Sequence, residues 1–227
     1  MVHTFCMLSR LKEAIWQTFE PTLFRWFHKR MYHRHQWMNV RWMGAPVQKI
    51  PSDLWVLQEI LFETKPQVIL ETGTYDGGST LYLAHLMDLL GEGEIISVDL
   101  HPRDGRPEHP RITYLAGSSV APEIVKIMKS RSQGKRTMVI LDSDHRASHV
   151  SAELKVYPQF VTSGCYLIIE DTNINGNPVS REYGPGPMEA MREWKATNPP
   201  FKLDSNREKF LVTFHPMGYW RRDEKSF

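Results

Sequence analysis

The most apolar runs of this chain end in carboxylates. Val68-Ile-Leu leads to Glu71, Glu94-Ile-Ile-Ser-Val to Asp99, Thr137-Met-Val-Ile-Leu to Asp142 with Asp144 close behind, and Tyr166-Leu-Ile-Ile to Glu170 and Asp171. Short aliphatic runs of this kind read as strands buried on both faces of a sheet. Ligands of an open α/β sheet bind at the carboxyl ends of its strands, so the acids are expected to converge on one crevice. Uncompensated, so many carboxylates repel, and at least one takes a proton. A hard divalent cation relieves the repulsion, and Mg²⁺ takes such oxygen ligands. The candidate ligands are Asp144, Glu170 and Asp171, with Asp142 as a replacement for Asp144. Separately solvated surface acids are the bland alternative; paired acids on two strands argue against it.

His145 follows these acids directly. An imidazole with an ordinary pKa near 6.5 suits a general base at working pH. With Asp142 it forms the candidate catalytic pair. His149, one helical turn on, is the competing histidine, and Asp142 or Asp144 could itself be the base.

A glycine turn stands at the first of these strand ends, Glu71-Thr-Gly73-Thr-Tyr-Asp-Gly77-Gly78-Ser-Thr80. A strand, a glycine turn and a helix open a nucleotide-binding βαβ unit, with Ser79 or Thr80 as the helix cap. The glycines do not follow G-x-G-x-x-G and no Lys follows Gly78, so this is not a phosphate-cradling loop. Glu71 would repel a pyrophosphate but can receive an amine or balance a cation. S-adenosylmethionine carries an ammonium and a sulfonium and has no phosphate, so it suits the turn better than NAD. Expected cofactor contacts are Glu71, Gly73, Thr74, Tyr75 and Ser79 on the turn, with Asp142 beside it. Asp99 lies at the interval where such folds place a ribose-binding carboxylate. Ser118 and Ser119, after the strand Arg111–Ala116, could bond an adenine edge or cap the next helix.

The elements that must position these residues are legible in the periodicity. A helix is expected from Ser52 or Asp53 to a stop before Pro66, then helices over Leu81–Leu90, Pro122–Ser130, Ala147–Phe160 and Met188–Ala196. Thr172–Pro187, rich in Asn, Gly and Pro, reads as a long mobile loop over the site. Phe201–Leu203 and Phe210–Phe214 read as a final antiparallel pair around a turn at Asp204–Asn206.

Composition narrows the class. The 227 residues are 41% hydrophobic, enough for one domain with a large core plus an appendage. With Lys+Arg 28 against Asp+Glu 26, the charge does not point to nucleic acid. No run is apolar for long enough to span a bilayer, the N-terminal residues do not read as a signal-peptide core, and Cys6 and Cys165 stand far apart. A soluble, reduced, cytoplasmic protein is expected. Residues from about Leu8 to Arg34 look helical, with Pro21 breaking or kinking the run. No acid occurs from Pro21 to Ser52, where Arg25, Lys29, Arg30, Arg34, Arg41 and Lys49 alternate with Trp26, Phe27, Tyr32, Trp37 and Trp42. Such a surface could meet anionic lipid or nucleic acid; packing on the main domain or on a second subunit is the favoured account.

From Trp42 to Arg221 the chain resembles the cephalosporin hydroxylase and rhamnosyl O-methyltransferase family. The matching pieces are Asp53-Leu-Trp55 with Gln58-Glu59, Glu71-Thr-Gly73 with Gly77-Gly-Ser79, Leu141-Asp-Ser-Asp-His145, Glu170-Asp-Thr172, Gly184-Pro-Gly-Pro187 and Phe210–Phe214. The resemblance implies a Rossmann-like class I methyltransferase fold: an α/β domain with a seven-stranded, mostly parallel sheet and helices on both faces. It divides the chain into an appendage over 1–41 and a methyltransferase domain over 42–227. The implied function is Mg²⁺-dependent methyl transfer from S-adenosylmethionine to a hydroxyl of a sugar or small natural product, in a homo-oligomer joined through the N-terminal region. An NAD-type oxidoreductase and a non-enzymatic membrane-surface or partner-binding protein are the competing expectations.

Overall fold

A computed structural model describes residues 19–223. Residues 19–33 are helical (α1); the expected helix over residues 8–18, and with it the expected break or kink of that run at Pro21, lies outside the described residues. A short β1–β2 ribbon (Arg41–Trp42, Ala45–Pro46) leads to helix α2, Pro51–Thr64. Strand and helix then alternate: β3 Val68–Thr72, α3 Gly78–Leu90, β4 Glu94–Asp99, β5 Ile112–Ala116, α4 Pro122–Ser132, β6 Thr137–Leu141, α5 Ala147–Val156 and β7 Tyr166–Ile169. Helix α6 (Pro187–Ala196) and strands β8 (Phe201–Leu203) and β9 (Tyr219–Arg222) complete the chain.

The seven strands run in the order β5-β4-β3-β6-β7-β9-β8. Pairing is parallel from β5 to β7, and β9 lies antiparallel between β7 and β8. This is the doubly wound arrangement expected from the alternating elements. Every residue of β3, β6 and β7 is buried, because helices cover both faces of the sheet. Val68, Leu70, Val139, Leu141 and Leu167 point into one core layer, and Ile69, Met138, Ile140 and Ile168 into the other. The chain winds outward from β3 through β4 and β5, then returns to β6 on the opposite side. The crevice at that reversal, between the carboxyl ends of β3 and β6, is where such sheets bind ligands.

Three expectations give way here. Phe210–Phe214 is not a strand, since Leu211 adopts a left-handed φ of 68° that breaks an extended run. The strand that pairs with β8 is Tyr219–Arg222, and the turn between them is a short 3₁₀ helix over Ser205–Glu208. The segment 172–187 closes on itself rather than standing free. Val179 donates to Asn173 O at 3.0 Å, Asn173 to Phe214 O at 3.2 Å, and Ile174 and Val179 are buried. These backbone bonds, within the segment and to Phe214, let it pack.

Helix α1 packs on the main domain through one face. His28 stacks on Phe214, Tyr32 meets the same ring edge-on, and the His28 ring lies 3.0 Å from the Asn173 side-chain amide. The opposite face, Phe19, Leu23, Trp26 and Phe27, is exposed.

Candidate active site

Gly73 follows β3 with a φ of +86°, and a Cβ there would lie 1.8 Å from the Asp142 carbonyl oxygen. Only glycine lets the turn pass so close to the end of β6. Gly78, the first residue of α3, is held in the same way: a Cβ would lie 2.0 Å from the Pro46 carbonyl oxygen. That contact fixes the segment carrying Lys49 against the glycine turn. The expected cap on α3 is absent, because the residue before the helix is Gly77 in a left-handed conformation without a side-chain cap. Thr80 instead donates to Glu71 Oε2 at 2.5 Å, as does Ser97 at 2.5 Å. Glu71 is thus buried beneath the turn, committed to two hydroxyls rather than presented to a ligand amine, and burial raises its pKa to about 7.

A cavity of about 330 Å³ opens above the ends of β3, β6 and β7. The carboxylates of Asp142 and Asp171 approach one imidazole there, each with an oxygen 3.3 Å from His145 Nε2. Asp142, His145 and Asp171 are the described residues whose ligand atoms come close enough to share an ion. Burial alone would lower the His145 pKa, but Asp171 and Asp142 outweigh it and raise it to about 9. The imidazole is thereby biased toward its protonated form.

Lys49 enters the same cluster from the loop before α2. Its Nζ donates to Asp142 Oδ2 at 2.7 Å and to Glu170 Oε2. Val47 and Ile50 are buried on either side of it, and Gln48 takes a left-handed φ of 58°. The ammonium is 5% exposed, yet the Asp142 and Glu170 charges keep it protonated against the cost of burial. Asp142 is held below the usual carboxylate range: burial works to raise it, and Lys49 and His145 prevail. Glu170 moves the other way, raised by burial and by the Asp142 charge in spite of Lys49. Burial also raises the Asp171 carboxyl. Behind them, His215 Nδ1 accepts the Asp171 backbone N–H at 3.1 Å, and burial lowers its pKa to about 4.

The expected metal set is not assembled as written. Asp144 turns away and is engaged by Arg146, with Nε 2.8 Å from Oδ2, which lowers its pKa to about 2. Asp142, the expected replacement for Asp144, is the acid whose oxygen lies close to His145 and Asp171. Glu170 keeps one carboxylate oxygen, Oε1, buried and without a hydrogen-bond partner. An orphaned carboxylate oxygen beside Asp142 and Asp171 costs free energy unless something positive meets it, and hard oxygen donors suit Mg²⁺. The residues present therefore fit a divalent ion.

A second cavity of about 430 Å³ adjoins the first, sharing Gly73, Tyr75, Asp142 and Ser143 with it. Asp142 lines both cavities, Glu170 and Asp171 line the first, Asp99 and Asp144 line the second, and Glu71 lines neither. Asp99, Ser118, Ser119, Asp144 and His149 line the second, whereas Thr74 and Ser79 line the first. Asp99 accepts the backbone N–H groups of Tyr75 at 2.7 Å and His101 at 2.9 Å, and it pairs with Arg106 at 3.1 Å. Ser119 donates to the buried Glu153 at 2.6 Å and lies 3.1 Å from His149 Nε2. His149 is thereby placed away from the acid cluster, and the neighbouring Glu153 raises its pKa.

The sequence reading missed Lys49 as a member of this site, along with His215. Lys49 lies in a basic run, where its charge looks like surface. The one available signal is its position in a short loop bounded by Pro46 and Pro51, with apolar neighbours on both sides.

The chain matches the Rhamnosyl O-methyltransferase/CmcI family over residues 34–223. It is 37% identical over 201 residues to a rhamnosyl O-methyltransferase of Mycobacterium leprae, covering 85% of this chain and 87% of that protein. A rhamnosyl O-methyltransferase of Mycobacterium bovis is 38% identical over 208 residues, covering 87% and 84%. Among solved structures, CmcI with Mg and SAM superposes with a TM-score of 0.62 at 21% identity, covering 82% of this chain and 77% of that one. MycE with Mg and SAH gives a TM-score of 0.52 at 16% identity over 75% of this chain and 48% of that one. These structural likenesses bear on the fold, and the sheet order agrees with them. Since the match runs from before the cavity-lining Trp37 to the last strand, the chain belongs to the Rhamnosyl O-methyltransferase/CmcI family.

Proposed function

We propose that this chain transfers the methyl group of S-adenosylmethionine to a hydroxyl of a sugar or related small natural product, with Mg²⁺ in the acid cluster. The observation that carries the reading is the Asp142–His145–Asp171 group, set where the two cavities meet and backed by the unpartnered Glu170 Oε1. The relatives named rhamnosyl O-methyltransferases, at 37% and 38% identity, support the sugar as acceptor.

The second cavity would hold the cofactor, with Asp99 available to ribose hydroxyls and Ser118 and Ser119 lining its far part. Asp142, Asp171 and Glu170 through Oε1 would hold the metal. When bound, the ion supplies Lewis acidity that lowers the pKa of the acceptor hydroxyl. With the charge of Asp142 and Asp171 neutralised, His145 would lose its bias toward the protonated form, and its Nε2 would be placed to receive the hydroxyl proton. Titration calorimetry with S-adenosylmethionine and NAD, each with and without Mg²⁺, tests the reading. Tight NAD binding with none for the sulfonium compound would overturn it, and full turnover in excess chelator would remove the metal.

Residues 1–41 are read as an appendage on a methyltransferase domain over 42–227. Its outward apolar face supports association with a second copy of the chain, which light scattering of the purified protein tests. No helix among the described residues is long and apolar enough to cross a membrane. A cytoplasmic location is proposed, to be checked by fractionation.

A further inference from the structure

The first cavity has two unlike parts. Asp142, His145 and Asp171 make one part of its lining polar, and Trp37 and Phe214 make another part aromatic. The two rings meet at 89° with centroids 5.4 Å apart, making a corner. Each is braced from behind. Tyr32 stacks on one face of Trp37 at 5.6 Å, and the indole N–H donates to Tyr32 O at 3.1 Å. Phe214 has His28 stacked at 5.8 Å, and its backbone N–H is held by Asp53 Oδ2 at 2.9 Å. Phe214 also packs with Ile50 and Val212, against Met31, Tyr32 and Trp37. The corner is therefore rigid before any ligand arrives, which spares a ligand the cost of ordering it.

We propose that Trp37 forms the platform on which a pyranose ring of the acceptor lies, with Phe214, 2% exposed, as its buried backing. This rests on the reading of the chain as a sugar-directed O-methyltransferase, and it assigns recognition of the ring to the segment ahead of the methyltransferase domain. A pyranose has faces made of C–H groups and a rim of hydroxyls. The C–H face suits the electron-rich face of an aromatic ring, while the rim suits the polar part of the cavity. The acid cluster disfavours an acceptor whose own carboxylate or phosphate enters this cavity. Gln48 and Asp76 line the same cavity and are joined by a 3.3 Å hydrogen bond, so hydroxyls distant from the reacting one have polar partners there too. The packing of α1 gains a purpose in this arrangement: Tyr32 holds the platform and His28 its backing.

The test is saturation-transfer NMR and titration of methyl α-L-rhamnopyranoside into the full-length protein loaded with S-adenosylhomocysteine and Mg²⁺. Wild-type protein is expected to transfer saturation to the ring C–H protons. Trp37→Ala should weaken the glycoside roughly tenfold or more, the loss typical of a truncated aromatic anchor, and Trp37→Phe should restore most of it. Cofactor affinity should stay unchanged in both variants, and the milder Trp37→Leu provides an independent check should Trp37→Ala lose its cofactor affinity. Equal glycoside binding in wild type and in a variant that keeps its cofactor would overturn the platform. So would failure of the cofactor-loaded wild type to bind the glycoside. A wild type that binds no cofactor at all would instead overturn the methyltransferase reading.

Discussion

Lys49 Nζ lies 2.7 Å from Asp142 Oδ2, joining groups 93 positions apart in the chain, and the same ammonium also reaches Glu170. One buried cation thus holds one oxygen of each of two carboxylates. Asp142 Oδ1 is left facing His145, and Glu170 Oε1 is left unpartnered. The clamp commits one oxygen of each carboxylate and leaves the other outside its reach.

Lys49→Met removes the only cation bonded to Glu170 among the described contacts while keeping the side-chain volume. Breaking a buried ion pair in this way costs about 3–5 kcal/mol, because the partner charges stay buried. Chemical denaturation in chelator should show that loss, with Mg²⁺ recovering part of it. A change below about 1 kcal/mol would mean that the acids are already neutral in the native state.

His145→Ala should lower turnover by roughly 10²–10⁴-fold, the usual contribution of a general base. Affinity for S-adenosylmethionine should be nearly unchanged, since His145 lines the first cavity and not the second. Steady-state rates with calorimetry decide the matter. Wild-type turnover in this variant, together with a dead Asp142→Asn enzyme that still binds metal, would move the base to the aspartate.

Asp99→Ala should weaken the cofactor by about 1–3 kcal/mol, the range for a lost charged hydrogen bond. Asp99 also receives two backbone N–H groups and Arg106, so part of the loss reflects a loosened Tyr75 turn. Asp99→Asn keeps two acceptor lone pairs and should fall between the two. Equal binding by all three proteins would place the ribose elsewhere.

Stability should decline on the acid side, partly through His28. Burial lowers its pKa to about 4 from the ordinary 6.5, so between those values the unfolded chain binds the proton and the native chain does not. Its contribution is complete above pH 6.5 and disappears as pH falls toward 4. Glu71, raised to about 7, acts with the opposite sign: its folded form keeps a proton that the unfolded chain has lost, so stability falls as pH rises from 4.5 to 7. The informative quantity is therefore the difference between proteins. Melting temperature across pH 4–7 should fall less steeply for His28→Gln than for wild type, and parallel curves would show that His28 is solvated.

The sheet and the place of the site were legible in the sequence because both follow from local pattern. Continuous aliphatic runs demand burial on two faces, and their alternation with helical periodicity leaves a doubly wound parallel sheet. Polar residues at the carboxyl ends of such strands must then face the crevice. The same locality explains the misreadings. Val212 and Phe214 alternate like a strand, but their apolar side chains are used against Ile50 and α1, with Leu211 turned into the left-handed region. The sequence held the carboxylates; only the tertiary structure decided which oxygen serves which partner. Asp144 goes to Arg146, two residues on, because that pair forms in solvent at little cost. Glu71 goes to Thr80 and Ser97 because the strand pairing and the glycine turn bring those hydroxyls beneath it. Lys49 enters the acid cluster because the backbone at Pro46 closes on Gly78, a contact of chain segments with no periodic signature. Electrostatics falls off over a few ångströms in three dimensions, and sequence order does not specify those distances.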